Sequence, residues 1–339
     1  MKNNPITIID IAKLLGISKS TVSRALNNHP DISQATKDAV HRLAEGLKYI
    51  PNTVASSLRH KKSKVIGLIV PQISYFFFPS VIHGIEEVVH KMGYNLLILQ
   101  SNESYEREVE NLNILIANNV EGILASVCLK TVNYDHFQHI IDIDLPIVFF
   151  DRVIKDLNTD IVLVDDVTGS FKAVSHLLEK GKKRIAICLG NLNLLICRNR
   201  LQGYKTALIQ KGIPIDENFI ISCETETPEE TEQETLRLLN MNNPPNSIFA
   251  ISDLTMTGVM KAVYKMNLKV PEDISVIGFC EEPFRSMYNP PLSAIRPMGF
   301  EIGKKAAELL FDRIQNNQFN RKEPQVIYLD SNLIVGGST

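Results

Sequence analysis

No stretch of this 339-residue chain approaches the uninterrupted apolar run that a membrane-crossing helix needs, so no membrane span is expected. Met1 to Pro5 hold one lysine and no apolar core, so they do not read as a secretory leader, and a cytoplasmic location is expected. Cysteine is scarce: Cys128, Cys188, Cys197, Cys223 and Cys280 form an odd, widely spaced set of five without a Cys-x-x-Cys pair. That argues against a disulfide framework or a metal site. The patterns G-x-x-x-x-G-K-[ST], G-x-G-x-x-G and G-x-S-x-G are all missing, so phosphate cradles and nucleophile elbows lack their sequence marks. His136 and His139 are three apart, but a metal needs further ligands, and a solvated pair on a helix surface is expected instead. The doublets Asp165-Asp166 and Glu281-Glu282 read as helix caps or solvated strand ends rather than acid/base pairs. Together these absences leave little for an enzyme, and no cofactor or metal is expected.

What is present is the composition of a globular protein, 44% hydrophobic and 22% charged. The chain is too long for one compact core, so two or three folding units are expected. A net charge of −2 hides an uneven distribution. Residues 1–64 carry eleven Lys and Arg against four acids, leaving 25 bases and 34 acids for the rest. A basic small unit joined to an acidic large one points to a polyanion partner for the first unit alone.

Thr7-Ile8-Ile9-Asp10 sets a Thr cap three residues before an acid, and Ile8, Ile11, Ala12 and Leu15 recur at helical spacing. Gly16 ends this helix. Ser18 caps the next, which runs to about Leu26 with Val22 and Leu26 inward. Asn27-Asn28-His29-Pro30 breaks the pattern, and a third helix runs from near Ser33 to about Leu47 with Val40, Leu43 and Leu47 inward. Two short helices joined around one glycine and braced by a third make a helix-turn-helix. The outward side of the second helix is Lys19, Ser20, Ser23, Arg24 and Asn27, with no acid among them. Compact donors and one forked guanidinium suit base edges in a DNA major groove. Hydroxyls near helix starts (Thr7, Ser18, Thr21, Ser33 and Thr36) can bond phosphates, helped by the helix dipole.

Tyr49-Ile50-Pro51-Asn52 follows, then Thr53-Val54-Ala55-Ser56-Ser57-Leu58-Arg59. Pro51 ends the third helix, and Asn52 can cap a short new one that would be marginal in isolation. Leu58 is apolar beside Arg59, Lys61, Lys62 and Lys64, a combination that fits a wedge in a minor groove. Tyr49, Asn52, Leu58 and Arg59 complete the candidate DNA-contacting residues at this point.

From Val65 the pattern changes to apolar runs of strand length alternating with amphipathic helices, beginning with Val65 to Val70 and followed as far as Ser275 to Phe279. This alternation predicts parallel sheets covered on both faces, and it is too long for one sheet, so two doubly wound lobes are expected. Ligands in such folds sit beyond the carboxyl ends of the strands. The residues found there are Tyr75, Phe76 and Phe77, then Ser101, Ser126, Asp151 and Arg152. Arg200, Ser252, Asp253, Cys280 and Glu281 occupy the corresponding places in the second half. Aromatic faces with forked polar groups suit a small polar ligand such as a sugar or purine.

The segments TIIDIAKLLGISKSTVSRALN and YIPNTVASSLR resemble the head-piece and hinge of the LacI/GalR family of transcriptional regulators. VIGLIVPQISYFFFPSVIHGIEE, PIVFFDR, RNRLQGYKTAL, ISDLTMTG and PEDISVIGF resemble that family's periplasmic-binding-protein-like core. The resemblance implies an α/β protein with a helix-turn-helix domain in residues 1–50, a hinge helix and linker in 51–63, and a two-lobed effector-binding and dimerisation domain in 64–339. Lobe one would be 64–162 and 292–322, and lobe two 163–291 and 323–339, with crossings near Leu163, Pro291 and Lys322. It further implies that Lys19, Ser20 and Arg24 read an operator, that Leu58 is levered into its centre near Ala55 and Ser56, and that Tyr75, Asp151, Arg200, Ser252, Asp253 and Cys280 face the effector. The expected protein is a homodimeric repressor on pseudo-palindromic double-stranded DNA, controlled by a sugar or related metabolite. Two departures stand out: Cys280 where many members carry an acid, and Tyr75-Phe76 in place of the usual Asn-Pro.

Overall fold

A computed structural model of the chain describes residues 6–49, 63–74, 76–315 and 323–339. The expected hinge residues Asn52, Ala55, Ser56, Leu58 and Arg59, the crossing at Lys322, and Tyr75 lie outside the described residues. The chain divides into two compact units, Met1–Ser63 and Lys64–Thr339.

In the first unit, α1 (Ile8–Leu15), α2 (Lys19–Leu26) and α3 (Gln34–Gly46) pack around Ile11, Val22, Ala25 and Val40, none of which is exposed. The Asp10 carboxylate accepts from the backbone N–H and the hydroxyl of Thr7, which fastens the start of α1. Gly16 closes α1 at φ 65°, a left-handed conformation that suits glycine. On α2 it is Ala25, one turn from Val22, that occupies the buried position, and Leu26 is only half-buried. Ala44 is likewise buried on α3, with Leu43 and Leu47 packed at its margin.

The second unit contains two six-stranded sheets. In the first, β1 (Val65–Val70), β2 (Asn95–Gln100), β3 (Gly122–Ala125), β4 (Ile147–Phe150), β5 (Asp160–Val164) and β11 (Val326–Leu329) run parallel in the order β11-β5-β4-β3-β1-β2. In the second, the order is β12-β10-β9-β8-β6-β7, built from β6 (Ile185–Leu189), β7 (Ile220–Ser222), β8 (Ser247–Ala250), β9 (Ser275–Phe279), β10 (Ser293–Ile295) and β12 (Leu333–Ile334). Only β12 is antiparallel to its neighbour. Each sheet has a hydrophobic core on both faces. Ile66, Leu68 and Val70 of β1 point into one and Ile69 into the other, the two-residue alternation of a doubly covered strand.

Helices α4 (Phe77–Lys91), α5 (Tyr105–Ala117), α6 (Asp135–Asp142) and α11 (Gly299–Gln315) belong with the first sheet. Helices α7 (Asp166–Glu179), α8 (Leu195–Gln210), α9 (Pro228–Leu239) and α10 (Asp253–Lys265) cover the second. Helices α4 and α11 cross at glycines: a Cβ on Gly84 would lie 2.0 Å from the Phe300 carbonyl oxygen, and one on Gly303 2.0 Å from that of Val81.

The chain changes lobe three times, each time later than the sequence suggested. The whole of β5 stays in the first sheet, so the first crossing is at Asp165 and not Leu163. Strand β10 pairs with β9, which moves the second from Pro291 to residues 296–298. The pairing of β11 with β5 puts the third at 330–332 rather than Lys322. Sheet membership is a long-range choice that a short apolar strand does not advertise locally. Two side-chain expectations also change. The His136 side chain is 6% exposed and bonds the fully buried Glu108 at 3.0 Å, so only His139 is solvated. Asp166 is buried in an ion pair, while its neighbour Asp165 caps α7 through the Thr168 N–H. Among the described residues no helix is long and apolar enough to cross a membrane.

Candidate functional site

Two surfaces carry chemistry, one in each unit. On the first, Ser18 caps α2 by accepting from the Thr21 N–H at 3.0 Å, and its hydroxyl also meets those of Ser20 and Thr21. Lys19, Ser20, Arg24 and Asn27 are exposed, and Ser23 and Thr21 half-exposed. The Asn27 amide donates to the Ser23 carbonyl and so closes the helix. Arg24 and Lys19 make no hydrogen bond or ion pair among the described residues, leaving their donors for another molecule. Ser33 caps α3 through the Thr36 N–H. Tyr49 is half-buried against the three-helix core, so it positions the end of α3 and keeps a polar rim.

The second surface is a cleft at the carboxyl ends of both sheets, with about 790 Å³ of open volume including the solvent at its mouth. Arg200, on the second turn of α8 and 6% exposed, lies at its floor. Its Nε donates to Asp166 at 2.7 Å, one of its terminal nitrogens donates to the Ile251 carbonyl, and its guanidinium lies 3.7 Å from the centre of the Phe279 ring. A buried guanidinium needs such partners, and Asp166 stands at the start of α7 because the chain has just crossed lobes there. Burial raises the Asp166 carboxyl above its usual value, with Arg200 pulling against it.

Arg152 spans the cleft. It follows β4 in the first lobe and donates to Glu103 at 2.9 Å and to Glu226 of the second lobe at 3.0 Å. Burial works against its charge, but the two carboxylates outweigh that and hold its proton more firmly than usual. Glu226 also accepts from the Asn191 N–H at 3.1 Å and the Cys197 thiol at 3.7 Å. It lies directly over Gly190, where a Cβ would come within 1.9 Å of its Oε1. Asp151, at φ 59°, is pushed up to about 6 by burial, with Arg152 and Arg200 opposing. Asp253 is 7% exposed, its Oδ1 has no partner among the described residues, and burial with the nearby Glu281 pushes it up to about 7. Ser252 caps α10 beside it, accepting from the Thr255 N–H at 3.2 Å.

Of the sequence-derived effector set, Phe77, Asp151, Arg152, Arg200, Ser252 and Asp253 line this cleft. Phe76 instead stacks on Phe284 at 5.3 Å and packs against a core of the second lobe. Ser101 and Ser126 are fully buried at the ends of β2 and β3. Cys280 is buried in a hydrophobic core, which drives its thiol far above the usual range. Glu281 accepts from the Gly299 N–H at 2.6 Å, so it anchors the start of α11. These five follow strands in the sequence but are not among the residues that line the cleft.

Sequence reasoning missed Glu103, Glu226, Cys197, Phe279 and Pro297. Cys197 and Ile196 could have been found, since they lie three and four residues before Arg200 on the same side of α8. Glu226 had no such signal, standing in a loop four residues after the end of β7.

Residues 7–52 match the family described as bacterial regulatory proteins, lacI family, and residues 174–339 match a periplasmic binding protein-like domain. The ribose operon repressor of Haemophilus influenzae is 33% identical over 334 residues, covering 96% of this chain and 98% of that protein. The chain belongs to the LacI family. The transcriptional repressor CytR of Escherichia coli is 32% identical over 335 residues, covering 98% and 96% of the two chains. In fold it is similar to the lac repressor dimer bound to operator and an anti-inducer, with a TM-score of 0.86 at 24% identity over 99% of each chain. This LacI-family member is therefore a DNA-binding transcriptional regulator, with the family's helix-turn-helix and two-lobed core.

Proposed function

We propose that two copies of this chain bind a pseudo-palindromic operator in the cytoplasm and repress transcription, with α2 of each copy reading one half-site in the major groove. Lys19, Ser20 and Arg24 meet base edges, the capping hydroxyls of Ser18 and Ser33 face phosphates, and Leu58 of the hinge segment enters the minor groove at the centre. A small polar effector in the cleft beside Arg200 shifts operator affinity. Coupling requires the effector to bind the two lobe arrangements unequally, because a ligand with equal affinity for both shifts nothing.

The observation that carries this assignment is the exposed side of α2, which pairs two unengaged cations with hydroxyls and has no acid. Arg24→Ala is expected to lose about 1–3 kcal/mol of discrimination between operator and scrambled duplex. Fluorescence anisotropy with an operator selected from random DNA measures this. Equal selectivity of variant and wild type would remove Arg24 from base reading.

A further inference from the structure

We propose that the effector is a small ring-shaped molecule carrying a protonated amino group, and that Asp253 receives that group. The proposal rests on the assignment of this cleft as the effector site. Its warrant is the balance of charge around the cleft. Glu103, Asp151, Glu226 and Asp253 line it, and Asp166 lies directly behind Arg200. Against these five carboxyl groups stand two cations, Arg152 and Arg200, and among the described residues the lining contains no lysine. Neither cation is free. Arg152 is divided between Glu103 and Glu226, and Arg200 between Asp166, the Ile251 carbonyl and the Phe279 ring.

An anionic ligand such as a sugar phosphate would have to strip a guanidinium from buried carboxylates, which leaves those carboxylates uncompensated. The cleft therefore rejects anions. What it can take is a donor: the Oδ1 of Asp253 is buried without a partner among the described residues, and the residue, 7% exposed, lines the cavity. A buried carboxylate oxygen left unbonded is costly, and a charged donor relieves that cost better than a hydroxyl. Asp253 is also the first residue of α10, where the helix dipole favours its ionised form once a cation is beside it. Burial first and the nearby Glu281 charge second raise the proton affinity of Asp253, against the Glu281 backbone N–H and the Arg200 charge. Phe77, Leu194, Ile196 and Leu254 supply apolar surface for the face of a ring. The amine can be exocyclic, as on an amino sugar, or the ring nitrogen of an iminosugar, and both present the same charged donor.

The test uses the full-length protein and matched compounds: glucose, glucosamine and glucose 6-phosphate, the corresponding galactose set, and a six-membered iminosugar. Calorimetry near neutral pH gives their dissociation constants. The amine members are expected to bind at least about tenfold tighter than their hydroxyl parents, with no heat from the phosphates. Stronger binding of glucosamine or of the iminosugar identifies the source of the amine. Asp253→Asn is expected to bring the amine-to-hydroxyl ratio to about one, and the wild-type ratios stand alone if that variant does not fold. Binding of neutral sugars with a wild-type ratio near one overturns the amine and leaves the cleft as the effector site. Tightest binding by a phosphate also overturns it. Absence of binding by every compound overturns both the amine and the effector cleft.

Discussion

At Arg200 one guanidinium meets a carboxylate, a backbone carbonyl and an aromatic face, and its loss would leave Asp166 buried beside no cation. Arg200→Ala should cost about 3–5 kcal/mol of stability in urea melts, with part recovered when Asp166→Asn is added. A single-variant loss below about 1 kcal/mol would mean the pair is solvated. Asp253 makes a prediction of opposite character. Its folded-state pKa is about 7 against an ordinary 3.8, with burial, Glu281 and Arg200 setting the balance. The folded state therefore holds more protons than the unfolded state between those values, and stability falls as pH rises through that window. Asparagine resembles the protonated form, so Asp253→Asn should melt higher than wild type near pH 8, with the gap narrowing as pH falls and closing only below the ordinary 3.8. A constant gap would remove Asp253 as its source. Asp253 was legible in the sequence because it opens a helix after a strand end, and Arg200 because the segment RNRLQGY resembles the family's core. Cys280 and Glu281 follow a strand end as well, yet the rule failed there because the chain after β9 folds inward, against a core and the start of α11.

The pair α4 and α11 shows what the elements contribute. Their backbones meet where Gly84 faces Phe300 and Gly303 faces Val81, which holds both helices close to the first sheet. Gly84→Ala forces a Cβ against a backbone carbonyl, so the helices must separate, at a cost of at least about 1–3 kcal/mol. Thermal unfolding measures this, and an unchanged melting temperature would show that the crossing relaxes freely. Long strands such as β1 and β6 were readable from unbroken apolar runs. Strands β10 and β12 span three and two residues, too short for any period to show, and gain their place only from partners far along the chain. Helix α11 was within reach: Ile302, Ala306, Leu309 and Leu310 keep helical spacing and are buried. It was obscured by the proline-rich stretch that precedes it.

Across the whole molecule, the only direct ion pair between lobe residues at the cleft wall is Arg152 to Glu226 among the described residues, and Glu103 steadies the same guanidinium. Arg152→Ala should favour an open arrangement, seen as a larger radius of gyration in solution scattering without effector. An unchanged radius would assign closure to the three crossings alone. Two doubly wound lobes could be inferred from the alternation of strands and helices, but not which strand closes which sheet. That assignment bears on how the protein comes into being. The three helices of the first unit end at Gly46, whereas the outermost strands β11 and β12 come after every other strand in the chain. During synthesis from the N-terminus, the part that grips DNA can mature while both halves of its control device still lack an edge. A nascent molecule thus passes through a stage in which its reading head is complete before any metabolite can instruct it.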